Sequence, residues 1–136
     1  MCGISGIYNF SNRNLDSKKI INKIIKLKTS RGPDGNGIWV SSCKKVTFGH
    51  NRLSIIDLSK KADQPFISND KNLIITFNGE IYNYLELKEQ LQKKKVKFKS
   101  NSDTEVILES YKIWGLDFLK KLRGMYSFVI WIIKII

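Results

Sequence analysis

Leu73-Ile74-Ile75-Thr76-Phe77-Asn78-Gly79-Glu80-Ile81-Tyr82-Asn83 is the stretch on which the fold turns. Its first five residues are apolar or β-branched without alternation, the pattern of a strand covered on both faces. Such a strand needs a sheet around it and a layer above and below. Asn78-Gly79 then reads as a turn, ordinarily of type I′; directly after a buried strand it is also a place where exposed backbone can do chemistry. Upstream, Gly3 to Phe10 reads as a strand, and Gly37–Ser41 with Val46–Leu53 as two more, joined around Ser42–Lys45. Between them, Asp16 or Ser17 caps a helix with Ile20, Ile21, Ile24 and Ile25 on one face. Arg31-Gly32-Pro33-Asp34-Gly35 is turn chemistry, and Asp57–Pro65 a polar loop.

Downstream the pattern turns helical. Asn83 with Glu86 predicts a capping box, followed by Tyr84, Leu87 and Leu91 on one face. Ser102 with Glu105 predicts a second box, opening a helix that carries Ile107, Leu108, Tyr111 and Trp114 and stops at Gly115. A short helix over Asp117–Leu122 and a final strand over Met125–Ile133 complete the reading. Strands, then helices, then a strand predict an α+β fold with antiparallel sheets, one domain in size.

The net charge of +12 raises the question of nucleic acid. Of the 24 basic residues only four are Arg, whose planar fork suits phosphate and base edges, and the lysines are scattered over every segment. Ile and Lys at 20 each and Asn at 11 rise together, as an AT-rich coding bias would make them. A solvated lysine-rich surface without a nucleic-acid partner is the expectation. No signal peptide is visible, and the apolar run Phe128–Ile136 is far short of the roughly 20 residues of a membrane span. A cytoplasmic protein without a membrane partner is expected. Cys2, Cys43 and the single His50 lack metal-site spacing, so no metal is expected. Cys43 reads as a small buried residue.

Cys2 carries the chemistry. Removal of Met1 would leave a thiol and an α-amine on one residue, and an α-amine, with an ordinary pKa of roughly 7.7–8.0, is a base near neutrality. It can reach its own thiol directly or through one water, which activates a nucleophile that is otherwise mostly protonated. His50 is the alternative activator, though a lone histidine on a strand is more often structural.

Five segments taken together are more specific than any one. Met1-Cys2-Gly3-Ile4, Arg31-Gly32-Pro33-Asp34, His50 to Asp57, Asn78 to Asn83 and Ser102 to Leu108 stand in the order and spacing of one family. The chain resembles the class II glutamine amidotransferase domain of asparagine synthetases, over residues 1 to about 131. The resemblance implies a four-layer αββα sandwich of antiparallel sheets, of the N-terminal-nucleophile hydrolase type. It implies hydrolysis of L-glutamine through a thioester on Cys2, with Asn78 and Gly79 as the oxyanion hole. Arg52 would hold the α-carboxylate, bidentately as a guanidinium can. Asp103 would hold the ammonium group, kept ionised by the dipole of its helix, and Glu80 would add to that pocket through its backbone or side chain. Leu53, Ser54, Ile55 and Ile56 would line the pocket.

The resemblance also sets limits. The final strand ends Trp131-Ile132-Ile133-Lys134-Ile135-Ile136, where the family continues with more strands. A partial domain over residues 1–136, with an unpaired edge and uncovered apolar surface, is expected. The residues contain no Ser-Gly-Gly-x-Asp-Ser pyrophosphate loop. ATP and Mg²⁺ would belong to an ATP-dependent synthetase half outside this chain, supplied as a further domain or a separate chain; the glutaminase half needs no cofactor. The alternatives are an inactive remnant and a glutamine-binding module.

Overall fold

The computed structural model of the protein describes residues 2–11 and 15–133. Met1 and the Lys134–Ile136 tail, on which two of the expectations above rest, lie outside them. Six strands and three helices follow in the order β1 (Gly3–Tyr8), α1 (Ser17–Leu27), β2 (Gly35–Val40), β3 (Val46–Arg52), β4 (Phe66–Ile67), β5 (Leu73–Ile81), α2 (Tyr84–Lys93), α3 (Asp103–Trp114) and β6 (Gly124–Ile132). Short 3₁₀ turns occupy Thr29–Arg31, Lys60–Ala62 and Gly115–Lys121.

Two three-stranded antiparallel sheets form, β1-β3-β2 and β4-β5-β6. The period of two along β3 assigns its faces. Thr47, Gly49 and Asn51 meet α1: Ser17 and Thr47 share a buried hydroxyl bond of 2.6 Å, the Asn51 amide donates to the Ile25 carbonyl, and Gly49 lies under Ile21 and Ile25. Val46 and Phe48 point the other way and pack on Ile74 of β5, with Trp39 and Trp131 beside them. On the far face of β5, Leu73, Ile75, Phe77 and Ile81 join Leu87, Leu91, Val106, Ile107 and Leu108 in the main core. The layers therefore run α1, sheet, sheet, α2 with α3.

Both faces of Leu73–Phe77 are buried, and the reason is this double layer. The strand does not end at Phe77, however. Asn78-Gly79 is no turn; it continues β5 opposite Ser127 and Tyr126 of β6. Ladder pairing along β6 overrides the local turn preference.

The helix ends differ in detail from the sequence expectation. Asp16 caps α1, accepting from the Lys19 N–H at 2.9 Å. Asn83 precedes α2 but makes no side-chain cap, because its amide bridges the Lys121 carbonyl and the Arg123 N–H. At α3 only half of the box forms. Ser102 Oγ accepts from the Glu105 N–H, while the buried Glu105 carboxylate takes the Lys99 and Ser100 N–H groups and the Ser100 hydroxyl. Gly115, at φ 54°, ends α3 in the left-handed region. Cys43 is exposed, not buried: it sits in the tight β2–β3 connection, where the Ser41 hydroxyl beside it holds its pKa below the usual thiol value. Strand β6 pairs with β5 alone, and Met125, Val129 and Ile132 on it are exposed.

Candidate active site

A cleft of about 780 Å³, open mouth included, lies where β3 ends, β4 stops short and α3 begins. Its floor follows from the alternation of backbone groups along β5. The Leu73 carbonyl accepts from Ser68 at the β4 edge, whereas Asn72 and Tyr82 bond on the β6 side. Odd-numbered peptide groups of β5 thus face β4, which pairs only through Phe66 and Ile67. Beyond β4 the edge would be bare, and side chains take over. The Phe77 N–H donates to Gln64 Oε1 at 2.6 Å, and the Phe77 carbonyl accepts from His50 Nε2 at 3.1 Å. Four residues on, the Ile81 N–H donates to Asp103 Oδ2 at 3.2 Å. Gly79 stands between these two capped positions and lines the cleft, so its outward N–H is the gap in an otherwise closed edge. Only glycine fits: φ is +151°, and a Cβ would lie 2.3 Å from the Met125 carbonyl oxygen.

Cys2 approaches from the start of β1. Its Sγ accepts from the Leu53 N–H at 3.3 Å and lies 3.5 Å from the Leu53 carbonyl. The Arg31-Gly32-Pro33-Asp34 turn fixes this arrangement from below. Arg31 Nε donates to the Cys2 carbonyl at 3.3 Å, and Asp34 Oδ2 accepts from the Ser54 N–H at 2.7 Å. The Asp34 N–H bonds the Arg52 carbonyl at 3.0 Å, and Pro33 bridges to Arg52. Gly32 is pressed so close to Asn51 that a Cβ would lie 2.4 Å from its carbonyl carbon. One turn therefore positions both the thiol and the Arg52–Ser54 wall.

Opposite charges flank the cleft. Arg52, 9% exposed, pairs with Asp63 at 2.5 Å and donates to the Asp57 carbonyl, and its five N–H donors leave capacity for a further anion. Asp103, the first residue of α3, is buried, and desolvation pushes its pKa up to about 6, with the Glu80 charge adding to the rise. Backbone N–H bonds and the helix dipole pull the other way without winning. The helix start thus favours the ionised form, as expected, but burial is the larger effect and the net shift is upward. His50 is fully buried, and desolvation lowers its pKa to about 4, so it is neutral at physiological pH. Because the Phe77 carbonyl can only accept, the proton sits on Nε2, and Nδ1 is left buried without a partner. His50 is thereby engaged with β5.

Cys2, Arg52, Leu53, Ser54, Ile55, Ile56, Gly79, Glu80 and Asp103 all line this one cleft. Asn78 does not: it stands beside Gly79 on the β6 side, with Oδ1 buried and unpartnered. Sequence reasoning gave no role to Asp34, Arg31 or Thr104, although all three lie in quoted motifs, and passed over Gln64 and Asp63 within their polar loop. No motif marks those two, since their contacts are made across the fold. Among the described residues no three His, Cys, Asp or Glu side chains gather as a metal site would require.

Comparisons with known proteins agree with this geometry. A protein-family profile for a glutamine amidotransferase domain matches residues 1–134. "Asparagine synthetase [glutamine-hydrolyzing] 1" of Bacillus subtilis is 41% identical over 133 residues, covering 96% of this chain and 21% of that protein. "Putative asparagine synthetase [glutamine-hydrolyzing] 2" of Methanocaldococcus jannaschii is 42% identical over 146 residues, covering 96% and 27%. The chain thus spans between a fifth and a third of the length of these relatives. Among solved structures, the glutamine phosphoribosylpyrophosphate amidotransferase of B. subtilis superposes with a TM-score of 0.76 at 24% identity, over 95% of this chain and 35% of that one. The shared architecture is the N-terminal-nucleophile hydrolase fold, and by sequence the chain belongs to the glutamine amidotransferase domain family.

Proposed function

We propose that the protein hydrolyses the side-chain amide of L-glutamine, with Cys2 as nucleophile once Met1 has been removed. The observation that carries the reading is the placement of the Cys2 thiol in the cleft that also holds the open Gly79 N–H, the Arg52 guanidinium and the Asp103 carboxylate. A free amino acid offers one anion, one cation and, in glutamine, one neutral amide; the cleft presents a partner for each. Arg52 takes the α-carboxylate, alongside or in place of Asp63. Asp103 takes the ammonium group, with Glu80 adding negative charge.

The α-amine of Cys2 accepts the thiol proton, and Sγ bonds to the amide carbon. The carbonyl electron pair moves onto oxygen, against the Gly79 N–H, with the Asn78 side chain turning toward the cleft as second donor. Collapse breaks the C–N bond, and the proton on the α-amine leaves with the nitrogen as ammonia. Water then attacks the thioester, releasing glutamate and restoring the thiol. Loss of one oxyanion donor typically costs about 10²–10³ in turnover.

The ammonia would serve a synthetase module, in the same polypeptide or a separate chain, that uses ATP and Mg²⁺ to activate its acceptor. We take aspartate as that acceptor, a reading supported by relatives that are named asparagine synthetases. No helix among the described residues is long and apolar enough to cross a membrane. Separately, from the biosynthetic relatives, we propose a cytoplasmic reaction.

Purified protein is expected to release ammonia from glutamine, and Cys2→Ala to abolish the release while leaving the fold intact. A diazo ketone analogue of glutamine should label Cys2 and spare Cys43. Hydrolysis that survives Cys2→Ala, or folded protein that neither hydrolyses glutamine nor takes the label, would overturn the reading. So would a mass spectrum showing Met1 retained or the Cys2 amine blocked on active protein.

A further inference from the structure

We propose that Gln64 is a positioning residue that sets the span of the site, and with it the preference for glutamine. Its carboxamide is buried and adds a polar link at the cleft between two elements that also pack together in the main core and meet through the Ile81–Asp103 bond. Oε1 accepts the Phe77 N–H of β5 at 2.6 Å, and Nε2 donates to Thr104 Oγ1 of α3 at 3.1 Å. Phe77 lies two residues before Gly79, and Thr104 directly follows Asp103. The reaction, on the reading above, needs the scissile carbonyl at Gly79 and the ammonium group at Asp103 in one molecule. The Gln64 carboxamide therefore works with the Ile81–Asp103 bond to set the distance between the two ends of the substrate, tying Phe77, on the Gly79 side, to the residue that follows Asp103.

The backbone of Gln64 is itself held. Its carbonyl lies so close to Gly37 that a Cβ there would stand 2.1 Å from the oxygen. The carboxamide thus extends from a fixed point on the β2 side and stands in for the strand pairing that β4 fails to continue. Gln64 makes no covalent or proton-transfer contribution; it acts through Phe77 and Thr104.

The test compares Gln64→Leu, which keeps volume and loses both bonds, with Gln64→Glu, which keeps acceptors for the Phe77 N–H and the Thr104 hydroxyl. Circular dichroism establishes that each is folded. The expected result for Gln64→Leu is a fall of about ten- to a hundredfold in kcat/KM for glutamine, carried partly by kcat. Its labelling by the glutamine-like diazo ketone should slow in parallel, while alkylation of Cys2 by iodoacetamide stays within about twofold of the parent protein. Gln64→Glu should recover part of the loss. Thr104→Val should also lower kcat/KM, and adding it to Gln64→Leu should cost little more, since both remove one link. Folded Gln64→Leu protein with unchanged kcat and KM would overturn the inference and leave the proposed hydrolysis standing. Parent protein that neither hydrolyses glutamine nor takes the diazo ketone would remove the proposed function itself, and this inference with it.

Discussion

Asp103→Asn should separate what the site needs from what the fold prefers. The carboxylate is 5% exposed, and burial raises its pKa from 3.8 to about 6. At about 1.4 kcal/mol per unit, holding the charge inside the folded chain above pH 7 costs about 3 kcal/mol. Asparagine keeps the shape and one acceptor for the Ile81 N–H and forfeits the rest of the acceptor capacity, worth about 1 kcal/mol. The variant should therefore be more stable by about 1–2 kcal/mol at pH 8. With an unfolding entropy of about 2.1 cal/mol/K per residue over 136 residues, that is a rise in Tm of about 4–7 °C. Between pH 3.8 and 6 the folded parent chain binds more protons than the unfolded one, so its stability falls as pH rises through that window. The variant's advantage should accordingly vanish near pH 4 and be complete above about 7. Function should move the other way. Removing one side of a buried charge pair costs about 2–3 kcal/mol, hence about 30- to 150-fold in kcat/KM for glutamine. The parent protein's kcat/KM should also decline as pH drops through about 6, a limb absent from the variant. Calorimetry across pH and ammonia-release kinetics read both effects. A variant less stable at pH 8, with a difference that does not change with pH, would refute the argument from desolvation.

Two further substitutions probe the scaffold. Asp34→Ala removes the acceptor for the Ser54 N–H at an exposed bond. It should cost about 0.5–1.5 kcal/mol in urea denaturation and lower kcat/KM for glutamine about tenfold, with the thiol still open to iodoacetamide. Unchanged kinetics would show that the turn does not position the cleft wall. Gly79→Ala drives a Cβ into the β6 backbone and should destabilise the chain by about 3 kcal/mol or more, read from the urea midpoint. A shift below about 1 kcal/mol would mean that β6 yields at this position.

Much of this was legible in the residues themselves. Periodicity places Ile21 and Ile25 on the buried side of α1, and the continuous apolar run Leu73–Phe77 announces a strand between two layers. The motif order brings Cys2, Arg52, Gly79 and Asp103 to one cleft. What failed depends on partners distant in sequence. Asn78-Gly79 looks like a turn until Ser127 and Tyr126 pair with it. Asn83 looks like a cap until Arg123 claims its side chain. Gln64 belongs to a polar loop, and its buried bonds to Phe77 and Thr104 exist only once sheet and helix have met. The pKa of Asp103 follows from burial, which local sequence does not encode.

Arg52, the residue proposed for the α-carboxylate, and Leu53, whose N–H touches the thiol, are consecutive. On that proposal, a ligand arriving at the first should act on the peptide whose N–H restrains the sulfur. The cleft would then carry its own occupancy gauge: an inert amino acid that fills the carboxylate subsite should change how fast Cys2 reacts with a small alkylating agent, without touching the sulfur at all.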